Sequence, residues 1–315
     1  MDARTACERL TGNIGHVIVG KDGTIRLIVA AMLAGGHVLL EDVPGTGKTA
    51  LAGSLARSID GTFSRIQFTP DLLPSDVTGL NVYHSDVNGF VFHAGPVFTN
   101  ILLADEINRA TPRTQSGLLE CMEERQVTTD GETRGLPTPF MVIATQNPIE
   151  TAGTFPLPEA QLDRFIVQLS MGFPTEVEEA EILRRYSTGD VSDRRAELES
   201  VLTGADIMEL RAQVLKVSLH DDLTAYIAAI ARATRERGDV RSGVSPRGSL
   251  ALMRLAQALA LMDGRDHVVP EDIKEAAVPV LAHRLILPHG AAGSGTAAQI
   301  IRDIMGSVPV PTEHF

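Results

Sequence analysis

Val43-Pro44-Gly45-Thr46-Gly47-Lys48-Thr49 follows a short apolar run, His37 to Leu40, and opens a helical pattern with Leu51 and Leu55 at i, i+4. Glycines let a backbone curl until several N–H groups converge at a helix N-terminus, which is the cradle triphosphate oxygens require. In such a loop Lys48 reaches the β- and γ-phosphates, and the Thr49 hydroxyl ligates Mg²⁺. Asp42 stands where the pattern GxxxxGK[ST] has its first glycine. An ordinary strand–turn–helix junction is the competing interpretation, and Gly-Lys-Thr in this context weighs against it.

Outward from the loop, strand-like and helix-like segments alternate. Ile25 to Ala34 has helical periodicity, and Lys48 to Ile59 is a helix. Phe63 to Phe68, Ile101 to Ala104, Phe140 to Thr145 and Phe165 to Leu169 join His37 to Leu40 as short apolar strands. Such runs separated by helices predict a five-stranded parallel sheet covered on both faces. Two hairpins interrupt the alternation, at about residues 70–99 with Asn88-Gly89 as turn signal, and at 126–139 with Asp130-Gly131 at the tip. Beyond Pro174 the segments 176–186, 204–214, 221–237, 246–262 and 270–284 read as helices. The expected division is an α/β domain over 1–174 and a helical domain over 175–315. Ser187 to Ser200 reads as a linker or a long inter-helix loop, and Gly290 to Ala298 as a flexible stretch.

Composition narrows the function classes. The chain of 315 residues is 43% hydrophobic and 22% charged, as a globular protein is. A net charge of −12 and only three Tyr with no Trp argue against a nucleic-acid partner. No apolar run approaches the ~18 residues of a membrane span. Met1 to Gly20 lacks a basic start and continuous apolar stretch, so no secretory leader is expected and a cytoplasmic location is. Cys7 and Cys121 have neither disulfide-framework nor zinc spacing, and Cys121 reads as a small core residue.

Further polar residues cluster at predicted strand ends. Asp105-Glu106 ends an apolar strand; there Asp105 faces Mg²⁺ through water and Glu106 activates the attacking water. Taken alone the pair reads as acids opening a helix. Asn147 ends another strand, where it orients water or touches the γ-phosphate, or else simply forms a turn with Pro148. Arg164 precedes the fifth strand as a candidate arginine finger for a neighbouring subunit, and Ser245-Pro246-Arg247 starts a helix that would bring Arg247 over the nucleotide. Taken singly, each arginine reads first as half of a surface ion pair.

In order, these motifs resemble the MoxR family of AAA+ ATPases, in the helix-2-insert clade. The likeness runs from Val19-Gly20-Lys21 to Pro309-Val310-Pro311 and includes the stretches 40–49, 67–76 and 105–110, Gln146-Asn147-Pro148 and Ser245-Pro246-Arg247. That family tolerates an acid at the position of Asp42. The resemblance implies a P-loop AAA+ core followed by an all-helical lid, with the two hairpins as the helix-2 and pre-sensor-1 inserts. It implies ATP and Mg²⁺ as ligands, held by Val19, Gly20, Pro44, Gly45, Thr46, Gly47, Lys48, Thr49 and Ala50, with Thr49 and Asp105 on the metal. It implies Asp105 and Glu106 as Walker B, Asn147 as sensor 1, Arg164 as finger and Arg247 as sensor 2. A ring oligomer of six is expected, acting as a chaperone-like ATPase with a von Willebrand factor A-domain partner in complex assembly or metal-cofactor insertion. A magnesium-chelatase-like subunit, a P-loop phosphotransferase and a nucleotide-gated binding module are the alternatives. The stretch from Gln67 to Asp76 favours MoxR over the chelatase, and intact Glu106 and Asn147 speak against a module that only switches.

Overall fold

In the computed structural model, residues 2–43, 45–86, 88–147, 153–187, 191–288 and 294–311 are described. Two helices lead, α1 (Ala3–Gly15) and α2 (Asp22–Leu33), followed by β1 (Val38–Glu41), α3 (Lys48–Ser58), β2 (Phe63–Gln67) and α4 (Pro74–Thr78). The hairpin β3 (Gly79–His84) and β4 (Gly89–Ala94) leads into β5 (Ile101–Asp105) and α5 (Pro112–Glu124). A second hairpin, β6 (Gln126–Thr129) and β7 (Glu132–Gly135), precedes β8 (Met141–Gln146), α6 (Glu159–Leu162) and β9 (Val167–Leu169). Helices follow: α7 (Glu176–Tyr186), α8 (Val191–Glu197), α9 (Gly204–Val214), α10 (Asp221–Glu236), α11 (Pro246–Met262), α12 (Pro270–Leu281) and α13 (Ser294–Ser307).

The central sheet has the order β2-β5-β8-β1-β9, and every pairing in it is parallel. Alternation along the strands divides the apolar residues between two faces. Val38, Leu40, Leu103 and Ile143 pack with α1–α3 and the C-terminal helices, while Leu39, Leu102, Ala104 and Val142 pack with α5 and Phe140. The first core runs without a break from Ala3 to Ile304, so the helical region shares the interior of the α/β region. No helix among the described residues is long and apolar enough to cross a membrane. The Leu250 to Met262 run lies within α11, most of whose side chains are buried.

Several local expectations change. The stretch 187–200 contains α8, and Arg57 Nε donates to Leu198 O at 2.9 Å, pinning that stretch to α3. The stretch 290–298 carries the start of α13 from Ser294, with Ala297 buried; residues 290–293 lie outside the described residues. In the first hairpin His84 pairs with Gly89, so Asn88, at φ 48°, closes a four-residue loop instead of forming a two-residue turn with Gly89. The second hairpin does turn at Asp130-Gly131, both with positive φ, as its two-residue loop demands. The two hairpins touch: Asn81 Nδ2 donates to Asp130 Oδ2 at 2.6 Å, and the Arg134 guanidinium lies 4.0 Å from the Phe92 ring centre.

Candidate active site

In a parallel sheet the strand C-termini end together, and here they enclose a cleft of about 420 Å³. Register sets its floor: Gln67 pairs with Asp105, and Glu41 with Gln146, so β2, β5, β8 and β1 all end beside one another. Gly45 and Gly47 have φ of 88° and 86°, and Gly47 caps α3 in the left-handed region, where a side chain would cost ~1–2 kcal/mol. Gly45, Gly47, Lys48, Thr49 and Ala50 line the cleft. Lys48 Nζ donates to Val43 O at 2.9 Å and Asp42 O at 3.2 Å, folded over the carbonyls of its own loop. Thr46 Oγ1 donates to Val43 O at 3.4 Å, and Pro44 lies outside the described residues.

Asp42 is buried, and its carboxylate accepts hydrogen bonds from Ser170 Oγ (2.8 Å), Met171 N (2.5 Å) and Gly172 N (3.0 Å). The acid in place of the first glycine thus ties the entrance of the loop to the chain leaving β9. Past that chain, Lys21 Nζ donates to Phe173 O at 3.1 Å, and a Cβ at Gly20 would fall 2.0 Å from Glu178 Oε1. Gly20 therefore sits against the 173–178 segment, and neither it nor half-buried Val19 is among the residues lining the Lys48 cleft.

The acids are held by neighbours to which no motif gives that role. Thr145 Oγ1 donates to Asp105 Oδ1 at 2.6 Å and accepts from Glu106 N at 2.8 Å. Arg65 Nη2 reaches Asp105 Oδ2 at 2.6 Å. Glu106 adopts φ 55°, ψ 50°, a left-handed backbone that costs an L-residue ~1–2 kcal/mol and turns its side chain into the cleft. Its Oε2 accepts from Gln67 Nε2 at 2.8 Å and lies 3.1 Å from Arg109 Nε. Asn147, buried directly after β8, also lines the cleft.

The two remaining arginines lie elsewhere. Arg164 precedes β9, so it stands at the N-terminal edge of the sheet, near His37, whose carbonyl accepts from Ile166 N at 2.9 Å. Arg247, in the first turn of α11, shares with it a separate cleft of about 300 Å³ lined also by Gly36, His37 and Glu123. Arg164 Nη2 meets Glu123 Oε2 at 3.0 Å, and Arg247 Nη2 meets Glu123 Oε1 at 2.8 Å. Arg247 therefore lies in this structure away from the Lys48 loop of its own chain. The reason is local: Ser245, the N-cap of α11, donates to Asp163 Oδ2 at 3.0 Å, and Arg284 Nε reaches Asp163 Oδ1 at 2.6 Å. Asp163 is the neighbour of Arg164, so the start of α11 is fixed to the edge opposite Lys48.

Comparison with known proteins assigns this architecture. Residues 37–167 match the AAA family model of ATPases associated with various cellular activities, and 232–304 match the AAA lid domain. The chain is 42% identical to Chaperone MoxR1 of Mycobacterium tuberculosis, over 96% of this chain and 82% of that one. It is 30% identical to Protein MoxR of Methylorubrum extorquens, over 98% and 96% of the two chains. The chain belongs to the MoxR family of AAA+ ATPases. It is also 50% identical to the uncharacterized protein YeaC of Bacillus subtilis, over 96% and 94%. A crystal structure from Cytophaga hutchinsonii, provisionally described as an ATPase, superposes with a TM-score of 0.90 at 39% identity, covering 98% of this chain and 96% of that one. As a MoxR-type AAA+ protein it is an ATP-hydrolysing enzyme, and the five-stranded sheet with its helical lid is the fold of that class.

Proposed function

We propose that this MoxR-type ATPase works as a ring, with six subunits the expected number, in which ATP bound at one subunit's Lys48 loop is completed by Arg164 and Arg247 of the next. The observation that carries this reading is the position of the two arginines at the sheet edge opposite their own loop, where they have no nucleotide of their own to act on. Within the loop, Gly45, Thr46, Gly47 and Ala50 cradle the phosphates, and Lys48 leaves its carbonyl partners to meet the β- and γ-oxygens. The donor set suits Mg²⁺: the Thr49 hydroxyl and Asp105 carboxylate are hard oxygens in one cleft, and this ion takes only one or two protein ligands beside phosphates. Bound there, Mg²⁺ would neutralise charge on the β- and γ-oxygens. Glu106 then takes a proton from the attacking water as it adds to the γ-phosphorus, Asn147 orients that water, and ADP leaves. Val19 and Gly20 contact the adenine side.

Turnover drives chaperone-like remodelling of a protein partner, a role supported by the relative named Chaperone MoxR1. The family resemblance points to a von Willebrand factor A-domain protein as that partner, in complex assembly or metal-cofactor insertion, in the cytoplasm. The ring is tested by mixing. Arg164→Ala and Glu106→Gln subunits are each inactive alone, for different reasons, and on mixing some interfaces join an intact Glu106 to an intact Arg164. ATPase activity is expected to return in part. An Arg164→Ala protein that is monomeric at all concentrations and fully active refutes the reading.

A further inference from the structure

Glu123 is the least expected residue of the arginine cleft. It lies in the last turn of α5, a turn that carries no basic residue, so its negative charge faces the negative end of the helix dipole. A carboxylate placed against the dipole needs a compensating interaction, and here it has two. Each of its oxygens meets a different guanidinium, one from the segment before β9 and one from α11. Two guanidiniums that share one carboxylate are spaced for any small oxyanion of similar bite, a phosphoryl group included. They are also preorganised: Arg164 Nη1 donates to Leu119 O at 2.6 Å, and Asp163, itself held by Arg284, fixes the α11 N-terminus through Ser245. The cleft is open, with the Glu123 side chain 41% and that of Arg247 49% accessible, so another anion can reach it.

We propose that Arg164 and Arg247 form a single anion clamp for the terminal phosphate presented by a second copy of this chain, and that Glu123 is an internal competitor holding the clamp until that phosphate arrives. The proposal rests on the ring reading above and adds Glu123 to it. The exchange is favourable in charge, because a terminal phosphate brings close to two negative charges where the carboxylate brings one. It is accessible in energy, because partly exposed ion pairs are weak. Glu123 thereby sets a threshold. The arginines are not free to bind stray monovalent anions, yet they yield to a phosphate delivered in register by a neighbour.

The clamp is tested apart from the ring in a Lys48→Ala background, which disables the chain's own phosphate loop, with tripolyphosphate as probe in isothermal titration. Glu123→Gln is expected to bind tripolyphosphate about fivefold more tightly than the Lys48→Ala parent, the scale of two exposed ion pairs released. Adding Arg164→Ala or Arg247→Ala is expected to abolish that binding. Equal or weaker binding by Glu123→Gln overturns the competitor role, and tripolyphosphate bound by neither protein overturns the clamp. With Lys48 intact, Glu123→Gln is expected to reach half-maximal ATPase activity at an about fivefold lower subunit concentration. A fall in its activity toward that of Arg164→Ala instead makes Glu123 a support for the arginines and refutes the proposal. Full activity of Arg164→Ala refutes the ring reading itself, whatever Glu123→Gln does in the titration.

Discussion

Replacing Asp42 by glycine restores the usual GxxxxGK[ST] pattern and is expected to damage the protein. The carboxylate accepts from Ser170 Oγ, Met171 N and Gly172 N, and Met171 is buried. Hydrogen bonds to a charged group contribute about 1.5–3 kcal/mol each, and a buried donor left unpaired costs about 1–3 kcal/mol. Against this stands the desolvation of the carboxylate itself, which truncation relieves. The balance for Asp42→Ala is a loss of about 3 kcal/mol. Asp42 is not at positive φ, so glycine gains no conformational relief there and adds up to about 1 kcal/mol of chain entropy. Unfolding entropy scales to roughly 0.65 kcal/mol/K for 315 residues, so 3 kcal/mol corresponds to a fall in Tm of about 5 °C. Calorimetry of Asp42→Ala and Asp42→Gly measures this directly. Because Asp42 anchors the entrance of the loop, titration with a fluorescent ATP analogue is expected to show weaker binding for both variants, with Asp42→Asn intermediate. Unchanged Tm and unchanged nucleotide affinity in Asp42→Gly would show that the three contacts carry no weight.

Lys48→Ala is expected to abolish ATP binding, whereas Glu106→Gln keeps it and loses turnover, since Lys48 meets ground-state phosphate while Glu106 acts only as bonds change; filter binding beside phosphate release separates the two, and wild-type turnover in Glu106→Gln overturns its role as base. Buried His37 donates from Nε2 to Met122 O and accepts at Nδ1 from Val142 N, and burial lowers its pKa from 6.5 to about 4. The unfolded chain therefore takes up a proton between pH 6.5 and 4 that the folded one refuses, so this contribution is complete above pH 6.5 and falls by up to about 3 kcal/mol as pH drops to 4. Urea midpoints at pH 7 and 4.5 should decline less in His37→Gln than in wild type, and equal declines would be evidence against the assignment. Burial pushes the thiols of Cys7 and Cys121 up to about 12, so neither is expected to react with a maleimide at pH 7 until the chain unfolds; labelling of native protein at the rate of a free thiol contradicts this.

Legibility in the sequence followed the locality of the signal. The five strands are continuous apolar runs and were readable to within about two residues, as were α9 and α11, whose caps Thr203 and Ser245 mark their starts. The Lys48 loop, Asp105, Glu106 and Asn147 meet in one cleft because each ends a strand, and that much follows from the parallel pattern. Helix α1 also carries a usable signal: Ala3, Ala6, Cys7, Leu10 and Ile14 share a face, and Asp2 caps it. Charge in 187–200 and glycine in 290–298 hid α8 and the start of α13, since local propensity yields to packing on α3 and on the core. The partners Arg65, Thr145 and Glu123 have no motif of their own, and the stretch that opens with Gln67 gives it no role beside Glu106. Their roles come from register across strands and from helix docking, and a one-dimensional pattern does not encode either.

Arg247 is the instructive case, because its motif was legible and its location was not. A helix start after Ser245-Pro246 fixes local geometry, but where that start docks is decided by Asp163, 82 residues away along the chain. Asp163 and Asp42 act on the two ends of the same short strand. At its N-terminal end Arg284 donates to Asp163 and to Phe165 O, and at its C-terminal end Asp42 accepts from Ser170, Met171 and Gly172. Between them β9 is hydrogen-bonded to β1, with Val167 fully buried, so it has no slack in which to stretch or slip. The distance from Asp163 to Met171 is at most roughly 30 Å of extended chain. Asp42 and β9 thus connect the Lys48 loop, through hydrogen bonds at both ends of the strand, to the segment that carries Arg164. The Lys48 cleft and the arginine cleft of one chain lie at opposite ends of the parallel strands, and β9 runs from one to the other.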